Sequence, residues 1–213
     1  MSSDGIAAQR RGAGRGLAFV VSGPSGAGKN SVIDRVLEME PDLAFSVSYT
    51  TRPRRRREVD GIDYHYVSRE EFARLLEAGE LLEHVTYHED QYGTGRAQID
   101  ATITAGKDVI LNVDVEGAKR LQTSGMPSYT VIYVFLVPSS LRRLEERLRA
   151  RGSEDTDQIV DRLKIAEREM EALRLFDYLV INDDFDTAVA ELRAIIVAER
   201  LRIVPIGDQE KHG

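Results

Sequence analysis

The sequence predicts an α/β fold, a parallel β-sheet flanked by helices, because buried strands alternate with helical patterns along the chain. Four short runs are predominantly apolar rather than alternating: 17–21 (LAFVV), 108–115 (DVILNVDV), 130–137 (TVIYVFLV) and 178–182 (YLVIN). Such runs are typical of strands whose two faces are both covered by helices. Strand–helix alternation indicates the same architecture.

Amphipathic patterns predict the helices. The apolar positions that repeat at helical spacing are Val32, Ile33, Val36 and Leu37 after the first run, Ile159, Leu163, Ala166, Met170 and Leu173 before the last run, and Val189, Leu192, Ile195 and Ile196 after it. Each set forms one stripe with polar residues between its members, as expected for a helix packed on a sheet.

Two stretches interrupt the alternation. Residues 46–95 contain three strand-like segments (SVSYTT, DYHYV and LLEHVTY) and one helical segment, REEFARLLEAG at 69–79. This pattern predicts an inserted β-rich lobe. Residues 139–160 are dense in arginine and are predicted to be irregular.

Composition limits the classes of function. A chain of 213 residues with 42% hydrophobic residues suits one α/β domain with insertions or two small domains. The net charge of −7 argues against general nucleic-acid binding. The absence of cysteine excludes disulfides, a thiol nucleophile and cysteine-ligated zinc. No apolar run approaches the roughly 18 residues of a membrane span, and the first residues lack a signal-peptide centre. We therefore expect a cytoplasmic protein with a flexible N-terminal tail and no membrane partner.

Residues 23–30, GPSGAGKN, match seven of the eight positions of the phosphate-binding pattern G-x-x-x-x-G-K-[ST]. The motif follows a predicted strand and opens a predicted helix, which is the context that such a loop requires. Its glycines permit backbone angles that let N–H groups converge on phosphate at a helix N-terminus. Lys29 would then reach the β- and γ-phosphates. The alternative is an ordinary glycine-rich turn.

The eighth position holds Asn30, where a Ser or Thr hydroxyl usually binds Mg²⁺. An amide oxygen is a neutral ligand that a hard cation accepts, and nucleotide-bound Mg²⁺ keeps several waters. Ser31 adds a hydroxyl one residue later. The sequence therefore predicts a weakened but working site, with Asn30 as a weak or water-mediated Mg²⁺ ligand.

A basic cluster, TTRPRRRRE, places five arginines within residues 52–57. Its alternatives are a solvated loop, a nucleic-acid patch and a second phosphate site. Because arginine binds phosphate through paired hydrogen bonds, we favour a phosphate site that faces the glycine loop. A kinase for a phosphorylated acceptor needs two such sites.

Seven segments extend these observations along the chain: GPSGAGK, SVSYTTRPRRRRE, DGIDYHYVSREEF, LLEHVTYHEDQYGT, VDVEGAK, LEERLRARG and FDYLVINDD. In order and spacing, from about Leu17 to Ile203, the chain resembles the guanylate kinase family. The resemblance implies a P-loop NTPase-like core, a β-rich GMP-binding lobe and a mobile lid. It also implies phosphoryl transfer from ATP to GMP and dGMP with Mg²⁺, giving GDP and ADP.

The resemblance and the broken alternation together imply the domain boundaries. The P-loop core would comprise 17–45, 97–138 and 158–204, the GMP-binding lobe 46–96, the lid 139–157, and the two tails 1–16 and 205–213.

The resemblance also assigns site residues. Those that would bind ATP are Gly23, Pro24, Ser25, Gly26, Ala27, Gly28, Lys29, Asn30 and Ser31 in the loop, with Asn182 and Asp183 near the adenine. Those that would act on the transferring phosphate are Lys29, Arg52, Arg147, Arg151 and Arg162. Those that would bind GMP are Ser48, Arg52, Arg55, Tyr64 and Tyr92 at its phosphate, Glu83 and Thr94 at the guanine edge, and Asp114 near the guanine or the metal. A carboxylate that accepts from N1–H and N2–H₂ distinguishes guanine from adenine.

Four features depart from the family pattern. Asn30 replaces the hydroxyl residue, RPRRRRE replaces a turn with proline and glycine, and HEDQYGT replaces a glycine–asparagine approach to the tyrosine. Asn112 stands where many members carry Asp or Glu. Asp114, two residues later, is expected on the same face of the strand. We expect activity that is at most reduced or retuned.

Each assignment has a structural alternative. Glu83 alone would suit a surface carboxylate, Tyr64 and Tyr92 would suit the core of the lobe, and the lid arginines would suit a solvated helix face. The chain as a whole would also suit a non-catalytic module for a phosphorylated ligand, a kinase for another phosphorylated small molecule, or a nucleic-acid-binding protein. Lys29 argues against the non-catalytic module, and Glu83 argues against a kinase for another small molecule. The net charge of −7 argues against a nucleic-acid-binding protein.

Overall fold

The computed structural model describes residues 15–87, 89–124, 126, 128–151 and 156–203. Its strands are β1 (Ala18–Ser22), β2 (Leu43–Phe45), β3 (Tyr49–Thr50), β4 (His65–Tyr66), β5 (Leu81–Tyr87), β6 (Asp90–Gly95), β7 (Asp108–Asn112), β8 (Val131–Val137) and β9 (Tyr178–Ile181). Its helices are α1 (Lys29–Met39), α2 (Arg69–Glu77), α3 (Arg96–Thr104), α4 (Val115–Ser124), α5 (Leu141–Arg151), α6 (Thr156–Met170) and α7 (Phe185–Leu201), with a 3₁₀ helix at Glu171–Leu175. Apart from residues 15 and 16, the predicted tails lie outside the described residues.

Five strands form one parallel sheet in the order β2-β7-β1-β8-β9, which confirms the predicted fold class. All four predicted strands belong to this sheet. Strand β2 was not predicted, because three residues are too few to show a pattern. The second predicted strand was too long, since β7 ends at Asn112 and α4 begins at Val115. β1 lies between β7 and β8, so the loop that follows it lies at the middle of the carboxyl edge.

The alternating faces of β1 explain why this strand is apolar throughout. Phe19 and Val21 pack in a cluster with residues of α1 and α7, whereas Ala18 and Val20 pack in a cluster with residues of α3 and α4. All four side chains are fully buried. Burial of a large aliphatic or aromatic side chain contributes about 1.5–3 kcal/mol, so this strand anchors both layers of helices to the sheet.

A second sheet is built within residues 49–95. Its order is β4-β3-β6-β5, with β6 antiparallel to both neighbours and β3 parallel to β4. Helix α2 begins after Ser68, whose hydroxyl accepts a hydrogen bond from the Glu71 N–H at 3.1 Å. Phe72 of α2 packs so closely on this sheet that a Cβ at Gly93 would lie 3.1 Å from its ring.

The prediction that 139–160 is irregular is wrong, because most of this stretch is helical. Helix α5 covers Leu141–Arg151 and α6 begins at Thr156. Leu144 and Leu148 are buried against Ile159 of α6. This arrangement agrees with the alternative in which the arginines form the solvated face of a helix. Among the described helices, none is both long and apolar enough to cross a membrane.

Candidate active site

The glycine loop joins β1 to α1 in the strand–loop–helix context that its motif requires. Gly23, Gly26 and Gly28 have φ angles of 139°, 91° and 91°, which L-residues with side chains rarely adopt. At Gly23 an added Cβ would also lie 2.1 Å from the carbonyl oxygen of Leu136. Helix α1 begins immediately at Lys29, so its first N–H groups lack intrahelical acceptors. Loop and helix together can bind an anion such as phosphate.

Lys29 extends across this loop. Its Nζ donates hydrogen bonds to the carbonyl oxygens of Gly23 at 2.5 Å and Pro24 at 3.2 Å. Lys29, Gly23 and Ser25 line a cleft of about 520 Å³ between the glycine loop and the second sheet. The ammonium group is therefore close to any phosphate that the loop would bind.

The cleft brings together ten of the 22 predicted site residues, from both lobes. Those that line it are Gly23, Ser25, Lys29, Asn30, Ser48, Tyr64, Glu83, Tyr92, Asp114 and Arg162. Predicted residues that do not line it in the described part of the chain are Pro24, Gly26, Ala27, Gly28, Ser31, Arg52, Arg55, Thr94, Arg147, Asn182 and Asp183. The side chain of Arg151 lies outside the described residues.

The phosphate end of the cleft holds two asparagines and an aspartate. Asn112 Nδ2 donates to Asn30 Oδ1 at 2.7 Å, which joins the end of β7 to the first turn of α1. The expectation that Asp114 lies on the strand is wrong, because β7 has already ended. Asp114 instead precedes α4, where its Oδ1 accepts a hydrogen bond from the Gly117 N–H at 2.6 Å. It still lines the same cleft as Asn112.

A buried carboxylate also lines the cleft. Glu83 is only 8% exposed, and its Oε1 accepts a hydrogen bond from Thr94 Oγ1 at 2.6 Å. Its Oε2 is buried and has no hydrogen-bond partner among the residues that the structure describes. Burial, and to a smaller extent the charge of Asp114, raise the pKa of Glu83 to about 7, against the lowering effect of Thr94. An unpaired buried oxygen in a cleft is suited to a ligand that donates hydrogen bonds.

The arginine loop is organised by a glutamate. Both terminal nitrogens of Arg52 donate to Glu58, at 2.8 and 3.0 Å, and the Tyr66 hydroxyl and the Arg55 N–H donate to the same carboxylate. The hydrogen bonds from Arg52 are the main cause that lowers the pKa of Glu58 to about 2. The Arg52 guanidinium also lies 5.5 Å from the ring centre of Tyr64, which lines the cleft. Arg52 is thus held beside the cleft.

Two arginines of the helix pair α5 and α6 contact the glycine loop directly. Arg162 of α6 donates to Ser25 Oγ at 3.1 Å and lines the cleft. Arg147 of α5 donates to the carbonyl oxygen of Ala27 at 3.1 Å and to the carbonyl oxygen of Asn182. Helix α5 packs on the loop so closely that a Cβ at Gly26 would lie 2.8 Å from Leu148.

Asn182 and Asp183 support the loop and the lid. Asn182 is buried, and its Nδ2 donates to the carbonyl oxygen of Ala27 at 2.7 Å. Asp183 accepts hydrogen bonds from the backbone N–H and hydroxyl of Ser139 at 3.0 and 2.5 Å, and pairs with Arg143 at 3.2 Å. In this structure both residues therefore hold other parts of the protein in place.

Sequence reasoning missed three functional candidates. Glu169 of α6 lines the cleft, and its buried Oε2 has no partner within the described ranges of the chain. Its signal was the position seven residues after Arg162, which puts both on one helix face. Gly117 leaves room beside two carboxylates, since an added Cβ would lie 3.0 Å from Glu83 and 3.1 Å from Asp114. The third candidate is Glu58, whose signal was its place in the arginine motif.

The fold and the cleft define the class of protein. A phosphate-binding loop at the centre of a parallel sheet, opposed across a polar cleft by a second sheet with its own polar groups, is the arrangement of a P-loop phosphotransferase with two substrates.

Comparisons with known proteins define the family. The family model for guanylate kinase matches residues 15–199, and the chain belongs to the guanylate kinase family. It is 40% identical to a guanylate kinase of Oceanobacillus iheyensis, over 92% of this chain and 94% of that protein. It is 44% identical to one of Desulfotalea psychrophila, over 88% and 92%. The crystal structure of guanylate kinase from Anaplasma phagocytophilum superposes with a TM-score of 0.72 at 30% identity, over 89% and 88%.

Proposed function

We propose that this protein is an active guanylate kinase, which transfers the γ-phosphoryl group of ATP to GMP and produces GDP and ADP. The observation that carries the proposal is one cleft lined both by the phosphate loop and by Glu83, whose buried Oε2 has no hydrogen-bond partner among the described residues. Its fold and its curated relatives support the same activity.

At the ATP end, the loop from Gly23 to Ser31 binds the phosphates through backbone N–H groups, to which Pro24 adds none, and Lys29 leaves the loop carbonyls to contact the β- and γ-phosphates. Arg162 already lies on the loop, and Arg147 and Arg151 are carried by the same pair of helices. These cations neutralise the charge that is spread over the transferring group. The adenine lies beside Asn182 and Asp183.

At the GMP end, Glu83 accepts from guanine N1–H and N2–H₂, and Thr94 stays beside the base. Ser48, Tyr64 and Tyr92 line the cleft where the GMP phosphate would bind. Arg52 and Arg55 reach that phosphate from the loop organised by Glu58. None of these contacts involves the 2′-hydroxyl of ribose, so dGMP is also a substrate.

The residues at the phosphate end fit a hydrated Mg²⁺. Asn30, Asn112, Asp114 and Glu169 offer the oxygen donors that this cation prefers, and the buried unpaired Oε2 of Glu169 is one of them. When bound, Mg²⁺ supplies charge neutralisation on the ATP phosphates. The amide oxygen of Asn30 contributes weakly or through water.

The transfer requires orientation more than covalent help. An oxygen of the GMP phosphate attacks the γ-phosphorus, the new P–O bond forms, and the bond to the ADP oxygen breaks. The lobe of 46–96 positions the acceptor, the core of 17–45, 97–138 and 158–204 positions the donor, and the lid of 139–157, of which 152–155 lie outside the described residues, excludes water. We also propose that the protein acts in the cytoplasm.

A coupled assay of ADP release with GMP, dGMP, AMP, UMP and CMP tests the proposal. We expect turnover with GMP and dGMP and a much lower kcat/KM with the other three, because only guanine presents the adjacent N1–H and N2–H₂ donors that Glu83 would accept. Equal kcat/KM for GMP and AMP would overturn the assignment. Binding of GMP without any turnover would instead favour the non-catalytic alternative, which no observation on the described residues supports.

A further inference from the structure

The hydrogen bond between Asn30 and Asn112 lies where P-loop proteins usually hold their cation. Those sites use a Ser or Thr hydroxyl after the loop lysine together with a carboxylate from a neighbouring strand. Here the neighbouring strand is β7, since Val21 of β1 pairs with Asn112. Its terminal side chain donates to Asn30 at 2.7 Å instead of offering a carboxylate.

We propose that Asn30 and Asn112 act as one charge-neutral pair, which makes ATP binding less dependent on a divalent cation than a hydroxyl–carboxylate pair would. The inference rests on the proposed function, because it requires the glycine loop to bind ATP. It concerns how this chain tunes the site, and it adds Asn112 to the residues that determine nucleotide affinity.

The chemistry of the carboxamide explains the effect. Each amide offers one oxygen acceptor and two N–H donors, and the pair uses one donor internally. The remaining N–H groups can donate to phosphate oxygens, which a carboxylate can only repel. Reversal of both amides leaves the same neutral pair, so the argument does not depend on their orientation.

The effect differs between metal-free and metal-bound ATP. Without a cation, a carboxylate at this position would repel the triphosphate, whereas the asparagine pair would not. With a cation, the neutral oxygens attract it less strongly than a carboxylate would. The ratio of interest is the dissociation constant of ATP without Mg²⁺ divided by the one with Mg²⁺. Both differences make this ratio smaller for the asparagine pair than for a site with a carboxylate.

Other charged groups face the same position and set the background for this ratio. Lys29 attracts the phosphates in both states, while Asp114 and Glu169 line the cleft and attract a cation. The carboxylate of Asp114 is oriented by the Gly117 N–H at 2.6 Å. Because these groups are unchanged in variants of the pair, a change in the ratio reports on positions 30 and 112 alone.

Isothermal titration of ATP, without GMP, measures the dissociation constant in excess EDTA and in excess Mg²⁺ for wild type, N30S, N112D and N30S/N112D. We expect the wild-type ratio to be smaller than that of the double variant by about tenfold, as for one charge at a partly exposed site. We also expect this ratio to rise in the double variant by more than the product of its rises in N30S and in N112D, because the two side chains contact each other. A charge-matched control is A101E, which adds a carboxylate at an exposed position of α3 outside the cleft and should keep the wild-type ratio.

The proposal would be overturned if wild type and N30S/N112D had equal ratios. It would also be overturned if the change of the ratio in the double variant equalled the product of the two single changes. If circular dichroism shows that the double variant does not fold, the isosteric variant N112D is titrated instead. We expect its ratio to be about threefold above that of wild type. No increase in this ratio would overturn the inference. Failure of ATP to bind to folded wild type would overturn the proposed function, and this inference with it.

Discussion

Thr94 Oγ1 donates a hydrogen bond to Glu83 Oε1 at 2.6 Å, while Oε2 of the same carboxylate is buried without a partner in the described part of the chain. The threonine holds one oxygen in place and leaves the other available to a ligand in the cleft. A buried acceptor without a donor is unfavourable, by about 1–3 kcal/mol, until a ligand supplies the hydrogen bond. This relationship makes Glu83 the centre of base recognition.

Replacement of Glu83 by glutamine should remove the preference for guanine. The amide oxygen would keep the hydrogen bond from Thr94, so its NH₂ group would face the donors of guanine. We expect kcat/KM for GMP to fall by about 1.5–3 kcal/mol of transition-state stabilisation, measured near pH 8. R55A is the control, because phosphate carries no base identity and its loss should affect GMP and AMP alike. Unchanged discrimination in E83Q would contradict the role of Glu83.

GMP binding should release a proton near neutral pH. The pKa of Glu83 is raised to about 7, mainly by burial, so the free protein carries this proton below pH 7. Guanine donates to the ionised form, and its binding therefore lowers this pKa. Calorimetry in buffers of different ionisation enthalpy should find about half a proton released at pH 7 and almost none at pH 8.5. The same release in E83Q would show that another group titrates.

The same carboxyl should make the ligand-free protein less stable as the pH rises. Its pKa is higher in the folded state than its ordinary value of 4.5, so between these values the folded state binds more protons than the unfolded state. The free energy of unfolding should therefore fall between about pH 4.5 and 7 through this group. Urea unfolding of wild type and E83Q across this range measures the difference, and parallel curves would contradict it.

Loss of the Lys29 ammonium should impair the transfer itself. We expect K29A to lower kcat by about 10²–10³, the usual effect of removing one electrostatic stabiliser of a transition state. Lys107 provides a matched control: it is exposed and precedes the amino end of β7, at the edge of the sheet opposite the glycine loop. K107A should therefore keep wild-type kcat. A kcat of K29A within a few-fold of wild type would contradict the assignment of the loop.

Glu58 should act as a positioning residue for the GMP phosphate. It orients Arg52 through two hydrogen bonds and also accepts from Tyr66 and from the Arg55 N–H. We expect E58Q to raise KM for GMP about tenfold with little change in KM for ATP, because only the acceptor site loses its preorganised arginines. E80Q breaks an exposed pair with Arg74 and should leave both constants unchanged. Equal changes for GMP and ATP would indicate a general loss of structure.

Arg200 should be important for stability rather than activity. It donates to Asp108 at 2.6 Å and to Glu40 at 2.5 Å, and both carboxylates are buried. R200M would leave them without this partner, so we expect a loss of roughly 3 kcal/mol in the free energy of unfolding. The exposed Arg74 serves as the control, since R74M should cost less than about 1 kcal/mol. Similar losses in urea unfolding would contradict the prediction.

The sequence by itself determined those features that depend on neighbouring residues. The glycine loop is predictable because backbone N–H groups of consecutive residues bind phosphate, so the motif and its geometry are the same stretch of chain. The buried strands of the main sheet are predictable because both of their faces are covered, which leaves continuous apolar runs. Short β2 was missed because three residues are too few to show a pattern, and the stretch that holds α5 was predicted to be irregular, with a helix face only as the alternative.

Only the tertiary structure decided which distant residues meet. Asn30 and Asn112 are 82 residues apart, and the pairing of β1 with β7 brings them into contact. Arg147 was assigned to the phosphates, yet the packing of α5 on the glycine loop places it against the Ala27 carbonyl. Such contacts follow from strand register and helix packing across the whole core, and these arise from many weak interactions that no local spacing in the sequence encodes.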